Sequence, residues 1–287
     1  KIFLKTGKDQ MQQSDVLLCV FSYNMGVTLD NCLNYIKKFA IECDVVLMDD
    51  ASSEPVTLSV IDRHSQMFKE IFVNRDPKEG KKHGNLYRNI QHMCDYATKR
   101  GYRYIFLIQD DMQFVRPLSA DILSEYGHLF DADKMLLQVD PRFLRSGATF
   151  EILDGGSAYK NKGLTSYADV GIIDLQRLRD SGWKLVEGER PNRDGLAALG
   201  YKRIYPRTPV LMHVPFPQRY RNGKLKRSFL LWNRGKYGYH GMTDRQIEDM
   251  DTRGPSELPF FRKYLTVRNM TLSRIAYHWQ KDSRVLA

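Results

Sequence analysis

Tyr102-Arg-Tyr-Ile-Phe-Leu-Ile-Gln-Asp-Asp111 is the stretch on which the reading of this chain turns. The apolar run Tyr104 to Ile108 suits a strand buried on both faces, and it runs directly into a polar group, Gln109-Asp110-Asp111. Upstream, Asn85 to Lys99 has helical spacing and stops at Gly101, a residue suited to a helix C-cap. Before it, Glu70 to Asn74 reads as a strand, Val56 to Met67 as a helix, and Asp44 to Met48 as a strand ending in Asp49-Asp50. Earliest comes Val16 to Phe21, a continuous apolar run followed by the polar turn Ser22-Tyr-Asn-Met-Gly26. Thr28 then caps a helix carrying Leu29, Leu33, Ile36 and Phe39 at helical spacing.

Strands alternating with helices at this spacing predict a parallel, doubly wound α/β sheet with right-handed crossovers. Ligands of such sheets bind beyond the carboxyl ends of the strands. Ser22-Tyr23-Asn24, Asp49-Asp50, Asn74 and Gln109-Asp110-Asp111 all fall at such ends. Two adjacent carboxylates at 110 and 111 repel each other unless a cation joins them, and Mg²⁺ or Mn²⁺ is commonly held by one or two carboxylates plus substrate phosphates. Asp49 and Asp50 are the right groups to accept hydrogen bonds from a base or a ribose; the alternative is a turn-capping role.

Downstream, Ser119 to Phe130 suits a helix, Lys134 to Val139 a strand, and glycine-rich hairpin-like sequence leads to Tyr167. Asn192 to Leu199 reads as a helix stopped by Gly200, with short strands at Lys202 to Tyr205 and Val210 to His213. Beyond Pro217 the composition turns basic and aromatic, which places a soft boundary there: residues 1–217 as the main domain and 218–287 as a basic C-terminal extension with weaker helical signals from Pro259.

The chain has 287 residues, 42% of them hydrophobic and 11% aromatic, enough for one large α/β core and too apolar for a disordered chain. No apolar run is long enough to span a bilayer and no signal-peptide pattern is present, so a cytoplasmic location is expected. Cys19, Cys32, Cys43 and Cys94 form no C-x-x-C pair, so buried, reduced thiols are expected rather than zinc. The net charge is +10, concentrated in Arg219-Tyr-Arg-Asn-Gly-Lys-Leu-Lys-Arg227 and the later Arg234, Lys236, Arg262, Lys263 and Arg268. Such a tract is a candidate lid over a phosphorylated ligand, or a peripheral contact with anionic lipid.

In order and spacing, Val16 to Asn24, Val46-Leu-Met-Asp-Asp-Ala-Ser52, Arg88-Asn89 on a helix, and Tyr104 to Asp111 resemble the donor half of family-2-type inverting nucleotide-sugar glycosyltransferases of the GT-A fold. The resemblance covers about residues 15–117; residues 118–217 would form the acceptor half. It implies a Rossmann-like, mostly parallel sheet and a cofactor set of Mn²⁺ or Mg²⁺ with a nucleotide-sugar co-substrate, a UDP-sugar first. It implies donor contacts from Ser22, Tyr23, Asn24, Asp49 or Asp50, with Asp110 facing the ribose or sugar and Asp111 ligating the metal. Gln109 departs from the pattern, since many members carry Asp there. Lys81, Lys82, His83 and Arg88 are candidates to meet phosphate charge.

Asn192-Arg-Asp-Gly-Leu-Ala-Ala-Leu-Gly-Tyr201 is similar to the segment that carries the general base, with Asp194 leading and Glu189 and Glu187 as rivals. His213 falls where many GT-A enzymes place a metal- or diphosphate-contacting His, and Trp183 either lines the acceptor site or packs in the core. The expected partners are a nucleotide-sugar and a glycan, polysaccharide or lipid-linked acceptor. Two other classes compete: a nucleotidyltransferase, against which stands the lack of a glycine- and arginine-rich loop after the first strand, and a basic nucleic-acid-binding protein, which has no recognisable module here. No nucleic-acid partner is expected.

Overall fold

A computed structural model describes residues 11–40, 42–74, 84–145, 148–163, 165–215, 219–221, 224–226 and 238–268. The strands, in chain order, are β1 (Val16–Ser22), β2 (Asp44–Asp49), β3 (Glu70–Val73), β4 (Tyr104–Gln109), β5 (Met112–Phe114), β6 (Leu136–Val139), β7 (Phe150–Leu153), β8 (Ala158–Asn161), β9 (Gly171–Asp174), β10 (Lys202–Pro206), β11 (Leu211–His213), β12 (Arg219–Arg221) and β13 (Lys224–Lys226). The helices are α1 (Gly26–Phe39), α2 (Pro55–Arg63), α3 (Leu86–Lys99), α4 (Ala120–Ala132), α5 (Leu175–Asp180), α6 (Glu189–Ala198), α7 (Asp244–Asp251) and α8 (Phe261–Tyr264).

The α/β class and the mostly parallel, doubly wound sheet are present. Nine strands run in the order β3-β2-β1-β4-β9-β6-β10-β8-β7. β3, β2, β1 and β4 pair in parallel, as do β6 and β10. β9 runs antiparallel between β4 and β6. Two small sheets join β5 with β11 and β12 with β13.

Strand residues alternate between two cores, as the two-residue period requires. On one face Val16, Leu18, Val20, Phe106 and Ile108 meet Leu29, Leu33 and Ile36 of α1 and Leu123, Tyr126 and Phe130 of α4. On the other, Leu17, Cys19, Phe21, Ile105 and Leu107 meet Ile90, Met93 and Ala97 of α3, Leu178 of α5 and Leu196 of α6. All four cysteines are free and buried within these layers.

The register sets the height of every strand end. Phe21 lies opposite Gln109 and Met48, and Ser22 opposite Asp49, so the polar groups after β1, β2 and β4 emerge at one edge. β9 enters the sheet in the opposite sense, so the residues before it, Asp169 and Val170, arrive at that same edge. β5 follows β4 directly and pairs antiparallel with the distant β11, setting His213 opposite Met112 and so beside Asp111.

Some local expectations shift. α1 begins at Gly26, and Thr28 lies inside its first turn, donating its hydroxyl to Met25 O at 2.9 Å rather than capping the helix. α6 begins at Glu189, three residues before the expected Asn192. Gly188, in the left-handed region at φ 98°, turns the chain into it. Trp183 packs its ring against Gly195, where any Cβ would overlap it, and its Nε1 donates to Asn192 Oδ1 at 3.1 Å.

Residues 238–268 are the longest described part of the stretch after 217. Tyr239, Met242, Met250, Phe261, Tyr264, Leu265 and Val267 form a third core with Val115, Phe143 and Met212. Gln113, buried in β5, bonds both the N–H and the O of Tyr239 at 2.9 and 2.8 Å. Among the described residues no helix is long and apolar enough to cross a membrane.

Candidate active site

The ends of β1 and β2 are built mainly to hold one another. Asn24, in the left-handed region at φ 51°, accepts from the N–H groups of Ser53 and Glu54, both at 2.8 Å. Asp49 accepts from Ser52 N at 2.7 Å and Ser52 Oγ at 2.6 Å. Asp50 sits in a cage of amides, accepting from Asn74 Nδ2 at 2.7 Å, from Asn85 N and Nδ2 at 3.0 Å, and from Asn89 Nδ2 at 3.1 Å. Four amide donors on one carboxylate lock β2, β3 and α3 together. Arg88 is exposed and donates to Asn74 Oδ1 at 3.2 Å, on the flank of this cage. Lys81, Lys82 and His83 lie outside the described residues, as does Arg227 of the basic tract.

The end of β4 is a different place. Asp110 accepts from Tyr23 N at 3.1 Å, which ties the Ser22-Tyr23-Asn24 turn to the acidic motif. Burial, reinforced by the charge on Asp111, pushes the Asp110 carboxyl well above the ordinary carboxylate range. Asp111 Oδ1 lies 3.2 Å from His213 Nδ1. Burial lowers the His213 pKa, against the pull of Asp111, so the ring is neutral near pH 7. Its other nitrogen, Nε2, lies 2.9 Å from Arg142 Nη1. An arginine only donates, so Nε2 accepts and the ring proton sits on Nδ1, facing Asp111.

Four residues not singled out from the sequence complete the site. Asp140 and Arg142 come after β6, Arg203 lies within β10, and Asp169 precedes β9. Asp140 is 0% exposed and receives Arg142 Nε at 2.7 Å and Nη2 at 2.5 Å. Asp169 accepts from the Gln109 side chain; burial raises its pKa, and Arg142 opposes that shift. Glu189, at the first position of α6, also has its carboxyl raised, first by burial and then by the charge of Asp169. Tyr87 of α3 feels both carboxylates. The strand-end signal was available for Asp140, which comes directly after Val139.

Asp194 is elsewhere. With α6 starting at Glu189, it lies on the outer face, its side chain 56% exposed and 3.3 Å from both Arg190 and Arg193. Glu187 is exposed on the approach to α6. It lines a cleft of about 410 Å³ with Leu185, Val186, Tyr87, Arg88 and Gln91.

Asp111 and a neutral His213 offer an oxygen and a nitrogen donor side by side, a set that suits a divalent cation whose remaining ligands are water and phosphate oxygens. His213 joins such a set only when its contact with Arg142 opens. Among the described residues no group of three or more His, Cys, Asp or Glu side chains stands ready to enclose an ion.

No protein-family model matches the chain, and no curated protein does. Solved structures do. The mannosyltransferase PcManGT from Pyrobaculum calidifontis, in complex with GDP-Man and Mn²⁺, is 16% identical with a TM-score of 0.49, covering 74% of this chain and 60% of its own. TarS 1–349 of S. aureus, in complex with UDP, is 13% identical with a TM-score of 0.49, covering 68% of this chain and 59% of its own. A cytidylyltransferase from Leptospira borgpetersenii is 12% identical with a TM-score of 0.39, covering 67% of this chain and 75% of its own. This chain spans about 60% of the PcManGT chain. Residue roles rest on the chain's own geometry.

Proposed function

We propose that the chain is a metal-dependent, inverting glycosyltransferase that moves a sugar from a nucleoside-diphosphate donor to a hydroxyl of a glycan, polysaccharide or lipid-linked acceptor. The observation that carries this reading is the meeting, at one sheet edge, of the Asp111–His213 pair with the two raised-pKa carboxyls of Asp169 and Glu189. One end of the site suits a cation and phosphate; the other suits proton removal.

Asp111, with His213 beside it, would hold Mn²⁺ or Mg²⁺, which supplies Lewis-acid neutralisation of the departing diphosphate. Asp110 faces the ribose or the sugar. Glu189 is the base: its partly buried position and the neighbouring charge of Asp169 raise its proton affinity, and the start of α6 fixes it in place. Asp194, solvated and paired with two arginines, has neither property. The acceptor oxygen attacks the anomeric carbon as the carbon–oxygen bond to the diphosphate breaks. The acceptor's proton passes to Glu189, and the bonding pair leaves with the nucleoside diphosphate. A single displacement of this kind inverts the anomeric centre. Around Asp49 and Asp50 the described bonds are structural, so base and ribose contacts there would use the half-exposed Ser52 and Asn74 rather than bare carboxylates. A soluble or membrane-peripheral enzyme, acting on a UDP-sugar first, is the form in which we propose it.

Incubation with UDP-, GDP- and dTDP-sugars and Mn²⁺ tests the reaction class. The expected result is release of a free nucleoside diphosphate from one donor, slowly to water and faster to an acceptor. Release of pyrophosphate from a nucleoside triphosphate and a sugar phosphate would instead make the chain a nucleotidyltransferase.

A further inference from the structure

Asp140 fixes one arginine and lies beside a second. Its buried carboxylate faces two guanidinium groups: Arg142, on two close bonds, and Arg203, whose Nη1 lies 3.7 Å from Oδ2. The charge of Asp169 also reaches Arg142, and that of Glu189 reaches both arginines.

The two arginines are not equivalent. The Arg203 side chain is 1% exposed and donates to Tyr167 O and Tyr205 Oη, both at 3.3 Å. The Arg142 side chain is 18% exposed. Asp140 takes its Nε and one N–H of Nη2, and His213 Nε2 takes one N–H of Nη1. A guanidinium has five N–H groups, so one on each terminal nitrogen is left over among the described residues. These two uncommitted N–H groups lie on the more exposed of the two arginines, one histidine away from Asp111.

That position matters because the site is otherwise acidic. Asp110, Asp111, Asp169 and Glu189 surround it, and a diphosphate approaching them needs positive charge. Arg88 lies on the flank of the Asp50 cage, bonded to Asn74. Arg142 touches the Asp111–His213 pair through His213 Nε2, and the charge of Arg145 reaches the same ring. Planar, bidentate arginine is suited to phosphate oxygens, and a guanidinium already fixed by a buried carboxylate loses little freedom on binding.

We propose that Arg142 is the guanidinium that receives phosphate oxygens of the leaving diphosphate, with Asp140 and Arg203 as positioning residues that aim it. The assignment deepens the glycosyltransferase reading and rests on it only for the identity of the ligand's nucleoside. The anion site itself stands on the Asp140 cage.

Calorimetric titration of the whole chain with UDP, GDP, the corresponding nucleosides and inorganic pyrophosphate, in Mn²⁺, tests it on the wild type, Arg142→Gln and Arg142→Lys. In Arg142→Gln the Kd for the preferred nucleoside diphosphate and for pyrophosphate should rise about 10- to 100-fold, as loss of charge-assisted bonds predicts, with nucleoside affinity unchanged. Arg142→Lys keeps the charge without the fork and should fall between; it carries the test if the glutamine variant does not fold. Unchanged diphosphate and pyrophosphate affinity in a folded variant overturns the proposal. So does equal weakening for nucleoside and diphosphate, which marks a purely structural role. Arg142-dependent pyrophosphate binding without any nucleotide binding keeps the anion site and removes the glycosyltransferase reading.

Discussion

Glu189→Gln should lower turnover about 100- to 10,000-fold while leaving nucleotide affinity and fold intact, the range typical for loss of a positioned general base. Glutamine preserves the shape at the start of α6 but cannot accept the acceptor's proton. The wild-type pH profile carries a second signature. Glu189 must be ionised to act, and its pKa is raised by burial and by Asp169, so activity should fall with decreasing pH at a value above the ordinary glutamate range near ~4.3. That acid limb should vanish in Glu189→Gln. Asp194→Asn should retain near wild-type turnover, since it removes only exposed contacts to Arg190 and Arg193. A Glu189→Gln enzyme with full activity, or an Asp194→Asn enzyme without it, would return the base role to Asp194.

Asp140→Asn should destabilise the fold by about 3–5 kcal/mol in urea unfolding at neutral pH. The side chain is isosteric, so the loss is electrostatic: Arg142 and Arg203 are left close together without their shared counter-charge. The sign of the pKa shift sets the pH dependence. Arg142 and Arg203 hold the Asp140 pKa below its ordinary value, against the desolvation that acts to raise it. Its contribution is therefore complete above the unfolded aspartate pKa near ~3.9, and is lost as pH falls through the lower folded value. The Asp140→Asn variant should lack this part of the acid sensitivity. A stability change under ~1 kcal/mol would show that Arg142 and Arg203 do not depend on Asp140 as their counter-charge.

The strands and helices that frame the site were legible because each is a long apolar run or a clear helical period, and the register is then set by which face is buried. Asp111 and His213 could both be named because each lies at or just beyond the end of a strand. Asp169 could not be found that way. β9 is antiparallel, so it delivers the residue before the strand, and inspecting only the residues after each strand passes over it. Arg203 was hidden differently: a charged residue inside Lys202–Tyr205 reads as solvent-facing, yet it is buried against Asp140. The helix expected from Asn192 begins three residues earlier, at Glu189, which leaves Asp194 on its exposed face. Pro191 and Gly188 obscure the helix start, and a three-residue shift rotates a helix by most of a turn, which changes which acidic side chains face inward. The Asp50 cage draws on Asn74 after β3 and on Asn85 and Asn89 at the start of α3, a convergence that sequence spacing does not display.

The most direct test of the central claim is a thermal-shift comparison of wild type and Asp111→Ala with UDP, GDP, dTDP and CMP, each with and without Mn²⁺. A ligand that binds only the folded state raises the melting temperature by mass action. The account predicts a shift for one nucleoside diphosphate that requires Mn²⁺ and disappears in Asp111→Ala, with the variant's own melting temperature little changed. No shift with any nucleotide, or an equal shift in the variant and without metal, would contradict it.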